Sequence, residues 1–254
     1  MSFNKRASEF LEDGLRYMLF SERTAKDTIQ RTKKKMTGYQ IELLERLNAI
    51  EVDAHWFRRV FHTFAASFLV YYLLPDEPWM NLGKIVVSLL IVVWMGVVEY
   101  QRIRGDISQR RFFGLRHYEM KRPASYLYFG VALLLLFLLF PQQIAIPCIL
   151  CASFTDPIIG ESRFYFGRKQ AYLIGFVFSV FFFTIVWFRA EWWALLLVSL
   201  LGAAGAVIGE GKKLKWVDDD FMIQMLPALL LWCLWQGLLV MGINILPAPI
   251  IHPL

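Results

Sequence analysis

Long uncharged stretches, separated by short polar segments, dominate the pattern of hydrophobic positions along this chain. Such stretches predict membrane-spanning helices, because roughly 17 to 25 apolar residues suffice to cross a bilayer. Residues 123–155 carry no charge and are too long for one crossing, so the Pro141-Gln142-Gln143 break divides them into two. The seven predicted spans cover approximately 57–74, 82–100, 124–140, 143–160, 171–188, 192–209 and 221–245. The pattern therefore predicts an all-α, polytopic integral membrane protein.

The composition agrees with this prediction and excludes intrinsic disorder. Hydrophobic residues make up 57% of the 254 positions and charged residues 19%, which is far too apolar for a disordered chain. The three cysteines lie in apolar runs and indicate no disulfide framework. Cys148-x2-Cys151 has the spacing of a metal-binding pair, but no second Cys/His pair lies nearby. We therefore expect these two cysteines to be core thiols.

Basic residues predict the orientation of the chain. Of the 27 lysines and arginines, 25 fall in residues 1–59 and in loops 101–123, 161–170 and 210–220, which seven crossings place on one side. The positive-inside rule makes that side cytoplasmic, so the N-terminus is predicted to be cytoplasmic and the C-terminus outside. The net charge of +6 is then a consequence of topology, and no nucleic-acid partner is expected. The compact size and the lack of a targeting segment favour a prokaryotic inner (cytoplasmic) membrane.

Residues 1–55 form a separate segment by composition. Apolar residues recur there at helical spacing on both sides of the basic run 31–35, which predicts two amphipathic helices. These helices either lie on the cytoplasmic membrane surface or form a hairpin packed on the protein's own loops. Residues 56–254 are the predicted transmembrane catalytic domain. Within it, Gly205-x3-Gly209 is typical of a close contact between helices.

Ionisable groups near the membrane gather at the span ends that are predicted to be cytoplasmic. Such groups are costly in a bilayer, so each is a candidate functional residue. Carboxylates bind Mg²⁺, basic side chains neutralise phosphate, and glycine lets a backbone approach phosphate closely. This mixture is typical of a phosphoryl-transfer site. The candidates are Arg58, Arg59, His62, Asp156, Gly160, Glu161, Arg163, Gly167, Arg168, Lys169, Glu210, Asp218, Asp219 and Asp220.

Simpler roles remain open for several of these groups. We interpret the charges of loop 101–123 as determinants of topology alone. The three adjacent aspartates 218–220 could instead cap the N-terminus of a helix. His62 could cap the membrane interface, or with Arg58 and Arg59 it could bind nucleotide phosphate or act as a base.

Three segments resemble the CTP-dependent polyprenol kinase family, which includes dolichol kinase, phytol kinase and CTP-type diacylglycerol kinase. Residues 58–62, Arg-Arg-Val-Phe-His, resemble the R-K-x-x-H opening of the family's first membrane helix. Residues 156–169 resemble its D…G-x-x-[FY]-G-[RK] loop. Glu210, then Asp219-Asp220 followed by Ile223 and Pro227, resembles its E…D-[DN]-x-x-I-P end. In this chain the Asp-to-Gly spacing is shorter, and the family's K-[ST]-x-E-G-[ST] segment is absent.

The resemblance implies a kinase that phosphorylates a lipid alcohol, polyprenol-like, phytol-like or diacylglycerol, with CTP as donor and Mg²⁺ as cofactor. Asp156 or Asp220 would position or deprotonate the hydroxyl. Mg²⁺ would be held by Asp156, Glu161, Glu210, Asp219 and Asp220. Nucleotide and phosphate would be bound by Arg58, Arg59, His62, Gly160, Arg163, Gly167, Arg168 and Lys169.

Two alternatives stay open. One is a non-catalytic lipid- or nucleotide-binding member of the same fold. The other resembles phosphatidate cytidylyltransferase, which has a related D…G-x-x-x-G loop, although its S-P-K-K-T segment is missing here. A transporter is disfavoured, because no charged residue lies at the centre of any predicted span.

Overall fold

The computed structural model describes residues 60–107, 119, 122–211 and 217–254. Every regular element within these ranges is a helix. The predicted N-terminal amphipathic helices, together with Arg58 and Arg59, lie outside the described residues. The helices are α1 (Val60–Tyr72), α2 (Pro78–Arg104), α3 (Ser125–Leu139), α4 (Gln142–Leu150), α5 (Asp156–Trp187), α6 (Trp192–Gly211) and α7 (Asp219–Val240).

Long apolar helices make this a helical membrane protein. Four helical segments of the described part are long and apolar enough to cross a bilayer: Pro78–Arg104, Gln142–Trp187, Trp192–Gly211 and Asp219–Val240. Helices α1 and α3 are apolar but shorter, and α1 becomes a 3-10 helix from Ala65 onward. The predicted end of the last span at 245 is wrong, because α7 ends at Val240 and is followed by Gly242 with a φ of +80°.

The longest helical segment is a hairpin rather than one straight rod. Gly167 has φ 78° and ψ 172°, which no helix contains. Thr155 Oγ1 and Ser179 Oγ lie 3.3 Å apart, although 24 residues of straight helix would separate them by about 36 Å. The side chain of Ile159 likewise lies against Gly175. The chain therefore reverses at Gly167, giving an antiparallel first limb (142–166) and second limb (168–187), which contain most residues of the predicted fourth and fifth spans.

The first limb forms much of the buried core. Helix α4 continues without a break into a π-helical segment, Cys151–Thr155, and then into α5. Ile144, Cys148 and Cys151 are fully buried. Both cysteines are free thiols, which confirms the prediction that they belong to the core. The π-helical segment widens the turn just before Asp156 and so changes the face on which that residue emerges.

Residues 241–254 pack as a non-helical tail across the start of α4. Gln143 Nε2 donates to the carbonyl of Pro247 at 2.7 Å. Gln142 exchanges two hydrogen bonds with the backbone of Ile251, at 3.0 and 3.2 Å. The glutamines of the predicted Pro-Gln-Gln break therefore anchor the tail, and their amide groups are paired where water is scarce.

Helices α6 and α7 approach each other at two glycines. A Cβ at Gly205 would lie 2.9 Å from Pro227 Cα, and a Cβ at Gly209 would lie 2.5 Å from Met222 O. The close contact predicted from Gly205-x3-Gly209 is therefore confirmed. Because the end of α6 touches the first turn of α7, Glu210 is brought beside the aspartates that begin α7.

Candidate functional site

Four elements contribute polar side chains to one end of the helical bundle. His62 comes from the first turn of α1, Asp156 from the start of α5, Glu210 from the end of α6, and residues 218–220 from the start of α7. We call these residues, together with Arg163, the acidic site. Only 7% of His62, 4% of Glu210 and 3% of Asp220 is exposed, whereas the Asp156 side chain is 21% exposed. Candidates from four separate segments of the sequence therefore converge. Asp156 is more exposed than His62, Glu210 or Asp220.

His62 lies between two carboxylates. Its Nε2 is 3.8 Å from Asp156 Oδ2 and 3.8 Å from Asp220 Oδ1. The donor atoms of these three residues all lie within 4.8 Å of one another. Phe129 of α3 packs edge-on against the imidazole, with ring centroids 5.8 Å apart, and so fixes the plane of the ring. The imidazole thus belongs to the acidic site and not simply to the membrane interface.

Glu210 is held by Arg163. The Arg163 Nη2 donates to Glu210 Oε1 at 2.8 Å and to the Tyr172 hydroxyl at 2.9 Å, and the guanidinium lies 4.9 Å from the Tyr172 ring centroid. Glu210 Oε2 is buried, and no N–H group of the described residues donates to it. The same carboxyl group lies beside Asp156. Two neighbouring buried carboxyl groups repel each other when both are ionised, so a shared proton or a cation between them is favoured.

The three aspartates do not act as a simple helix cap. Asp218 is the N-cap residue of α7, but its side chain makes no capping hydrogen bond. Carboxylate oxygens of residues 218–220 lie within 4.8 Å of one another. The partial positive charge at the N-terminus of α7 favours negative charge there, and Arg122 Nη2 lies 3.8 Å from Asp218 Oδ1. The capping interpretation alone therefore does not explain the cluster.

The remaining predicted residues lie around the acidic site. Arg168 lies over the same aromatic ring as Arg163, with its guanidinium 5.7 Å from the Tyr172 ring centroid. Gly167 forms the hairpin turn, and Lys169 beside it is exposed. Gly160 and Glu161 are half-buried on α5, and Glu161 does not belong to the groups whose donor atoms converge. The structure thus brings together His62, Glu210 and the aspartates, and it leaves Glu161, the two glycines and Lys169 around them.

Sequence reasoning missed a second buried polar cluster. Arg102 donates to both carboxylate oxygens of Glu99, at 2.8 and 2.6 Å, and to the carbonyls of Glu119 and Arg122, at 2.9 and 2.8 Å. The Tyr126 hydroxyl donates to Glu99 at 2.5 Å. This Glu99–Arg102 pair ties the segment before α3 to the end of α2, and so places Arg122 near Asp218. The sequence did contain a signal for this pair, because a glutamate and an arginine three residues apart at the end of a span face each other on a helix.

Comparisons of the chain with protein-family models, with curated proteins and with solved structures found no match. The residues of the acidic site nevertheless fit a divalent cation. Carboxylate oxygens are the preferred ligands of Mg²⁺ and Mn²⁺, and several converge here. Glu210 Oε2 is a buried oxygen that a cation would satisfy. The acidic site can therefore hold a cation at the boundary between an apolar bundle and solvent.

Proposed function

We propose that this protein is a membrane-embedded kinase that transfers a phosphoryl group from a nucleoside triphosphate to a lipid alcohol at the cytoplasmic face. The family resemblance favours CTP as the donor. The observation that carries the proposal is the convergence of His62, Asp156, Glu210 and Asp220 at one end of an apolar bundle. At such a position a hydroxyl group from the bilayer can meet a nucleotide from water.

The residues of the acidic site match the requirements of phosphoryl transfer. The hydroxyl oxygen of the lipid forms a bond to the γ-phosphorus while the bond to the bridging oxygen breaks, and the nucleoside diphosphate leaves. Asp156 is partly exposed and accepts the hydroxyl proton, with Asp220 as the alternative acceptor. Arg168 and Lys169, at the hairpin turn, bind phosphate oxygens. A divalent cation held by Asp156, Glu210 and Asp219 or Asp220 would supply neutralisation of the phosphate charge.

The membrane arrangement follows from the same proposal. We place seven crossings at α1, α2, α3, the two limbs of the hairpin, α6 and α7, with the N-terminus cytoplasmic and the C-terminus outside. Support comes from the 25 of 27 basic residues that this arrangement puts on one face, the face of the acidic site. The membrane is a prokaryotic inner membrane in this proposal.

A label-transfer assay tests the proposed reaction. Purified protein is incubated with Mg²⁺ or Mn²⁺, a total lipid extract, and CTP or ATP labelled at the γ-phosphate. A kinase places the label in an organic-phase product, and mass spectrometry of that product identifies the alcohol. Label from the α-phosphate in lipid, with release of pyrophosphate, would instead show a cytidylyltransferase. Nucleotide or lipid binding with no labelled product from either position would favour the non-catalytic alternative.

A further inference from the structure

We propose that His62 is a direct ligand of the cation in the acidic site, together with Asp156 and Asp220. The site would then bind a divalent transition-series cation, such as Mn²⁺, through mixed nitrogen and oxygen donors. The inference rests on the proposed function for the presence of a divalent cation. It goes further by assigning a nitrogen ligand and by naming the class of ion.

The spacing of the three donor groups carries the inference. Two ligand atoms that each lie about 2.1 Å from one ion are separated by about 3.0 to 4.2 Å, depending on the angle between them. His62 Nε2 is 3.8 Å from an oxygen of each aspartate, within that interval. The same 3.8 Å is too long for a hydrogen bond. The imidazole therefore faces both carboxylates at the separation of two ligands of a common ion.

The hydrogen bonding of His62 points the same way. Its Nδ1 is buried and has no hydrogen-bond partner in the part of the chain that the structure describes. The residue is 93% buried, and Phe129 packs edge-on against its ring. A buried imidazole nitrogen without a hydrogen bond is costly, and here that nitrogen is Nδ1. Nε2 is the nitrogen that faces the two carboxylates, so a cation would bind there and leave Nδ1 as it is.

Glu210 provides an independent observation at the same place. It is 96% buried, its carboxyl group pairs with that of Asp156, and no N–H group of the described residues donates to its Oε2. Arg163 neutralises Glu210 through the other oxygen, Oε1. Two carboxyl groups this close repel each other when both are ionised, so the pair needs either a shared proton or a cation between them.

The donor set selects the class of ion. Mg²⁺ prefers oxygen ligands and octahedral geometry, so an imidazole adds little to its binding. Imidazole nitrogen is a good ligand for the divalent ions from Mn²⁺ to Zn²⁺, and carboxylates suit Mn²⁺ as well. One imidazole with two carboxylates therefore predicts tighter binding of Mn²⁺ than of Mg²⁺.

Manganese spectroscopy on the purified full-length protein tests the assignment without any activity assay. Free Mn²⁺ is measured by its solution electron paramagnetic resonance signal during a MnCl₂ titration. Bound Mn²⁺ is then examined by electron spin echo envelope modulation, which detects a directly bonded ¹⁴N nucleus. The variants are His62→Ala and, as a matched control, His252→Ala, which changes an exposed histidine of the tail.

We expect nitrogen modulation in the wild-type protein and in His252→Ala, and none in His62→Ala. The dissociation constant for Mn²⁺ should rise at least about tenfold in His62→Ala, since even loss of a residue that supports a ligand costs that much. Competition by Mg²⁺ should change much less. If His62→Ala does not fold, unlabelled wild-type protein is compared with wild-type protein grown with ¹⁵N-histidine. The nitrogen modulation must then shift from the ¹⁴N to the ¹⁵N frequency.

Each contrary outcome has a distinct meaning. Saturable Mn²⁺ binding without nitrogen modulation would overturn the role of His62 and leave an all-carboxylate cation site, as the proposed function requires. Nitrogen modulation that persists unchanged in His62→Ala would also overturn the assignment. No binding of Mn²⁺ or Mg²⁺ to the wild-type protein would overturn both this inference and the cation of the proposed function.

Discussion

Gly209→Ala perturbs the contact that brings α6 to the acidic site. The added Cβ would lie 2.5 Å from Met222 O, 2.7 Å from Met222 C and 2.9 Å from Ile223 N. All three are backbone atoms of α7, so no side-chain rotation can relieve the clash. Ordinary contacts lie at 3.4 to 4 Å, and α6 must therefore withdraw from α7 by roughly an ångström. Glu210, the next residue, would move with it.

The expected cost combines two opposing effects. Overpacking of this kind costs about 1–3 kcal/mol, and the rigid backbone neighbours favour the upper part of that range. Replacing glycine by alanine inside a helix recovers about 1 kcal/mol. The net loss in the free energy of unfolding should thus be about 2 kcal/mol. Gly96→Ala in α2 is the matched control, because a Cβ at Gly96 meets no atom within 4 Å and should give only the gain.

Unfolding by sodium dodecyl sulfate in mixed micelles, followed by circular dichroism, measures both variants against the wild-type protein. We expect Gly209→Ala to be less stable and Gly96→Ala to be equally stable or more stable. Label transfer by folded Gly209→Ala should also fall, because Glu210 is displaced from Asp156. Equal stability of the two glycine variants would refute the reasoning from the α6–α7 contact.

Three further changes test the hairpin, the buried ion pair and the tail. Gly167→Ala forces an L side chain to a φ of 78° and should cost about 1–3 kcal/mol in the same titration; wild-type stability would contradict the strained turn. Glu99→Ala leaves buried Arg102 without its carboxylate and should lower the free energy of unfolding by about 3–5 kcal/mol. We expect a loss of monodisperse protein on size-exclusion chromatography, and an unchanged profile would contradict the importance of the pair. Gln143→Ala removes the hydrogen bond to Pro247 and should cost about 1 kcal/mol and speed proteolysis of the tail; unchanged proteolysis would contradict the anchor.

Hydropathy predicted the helices well because crossing a bilayer requires a long, uncharged run of residues. Helix α6, for example, begins at the predicted residue 192. The end of α7 is harder to predict from hydropathy, because residues 241–245 continue the apolar run of the helix before them. The helix ends there because Gly242 adopts a φ of +80°. Hydropathy carries no information about backbone conformation.

The acidic site was predicted as a set of residues, but its internal geometry was not. Helical periodicity explains one difference: residues five apart on α5 point about 140° away from each other, whereas residues seven apart share a face. Asp156 and Arg163 therefore both face Glu210, and Glu161 does not join them. The sequence leaves His62 as an interface cap, a phosphate ligand or a base. Its position between two aspartates depends on long-range packing, including the contact with Phe129.

The Glu99–Arg102 pair illustrates the limit of interpretation from composition. The predicted loop 101–123 is interpreted as a determinant of topology because it is rich in basic residues, but its first residues, 101–104, belong to α2. Arg102 is instead fully buried, and its hydrogen bonds reach backbone carbonyls 17 and 20 residues away. Such contacts depend on how the chain returns to α3, and a charge count does not contain that information.

Label transfer from γ-labelled nucleotide to lipid, compared among three proteins, tests the central claim most directly. The proteins are the wild type, Asp156→Asn and Asp76→Asn. Asp76 is an exposed aspartate outside the acidic site, and it accepts a hydrogen bond from Asn81. Loss of a proton acceptor typically lowers a rate by about 10² to 10⁴-fold. The account predicts a loss of this size in Asp156→Asn and a wild-type rate in Asp76→Asn, with both variants folded. An Asp156→Asn protein as active as the wild type, or no transfer by any of the three, would contradict it.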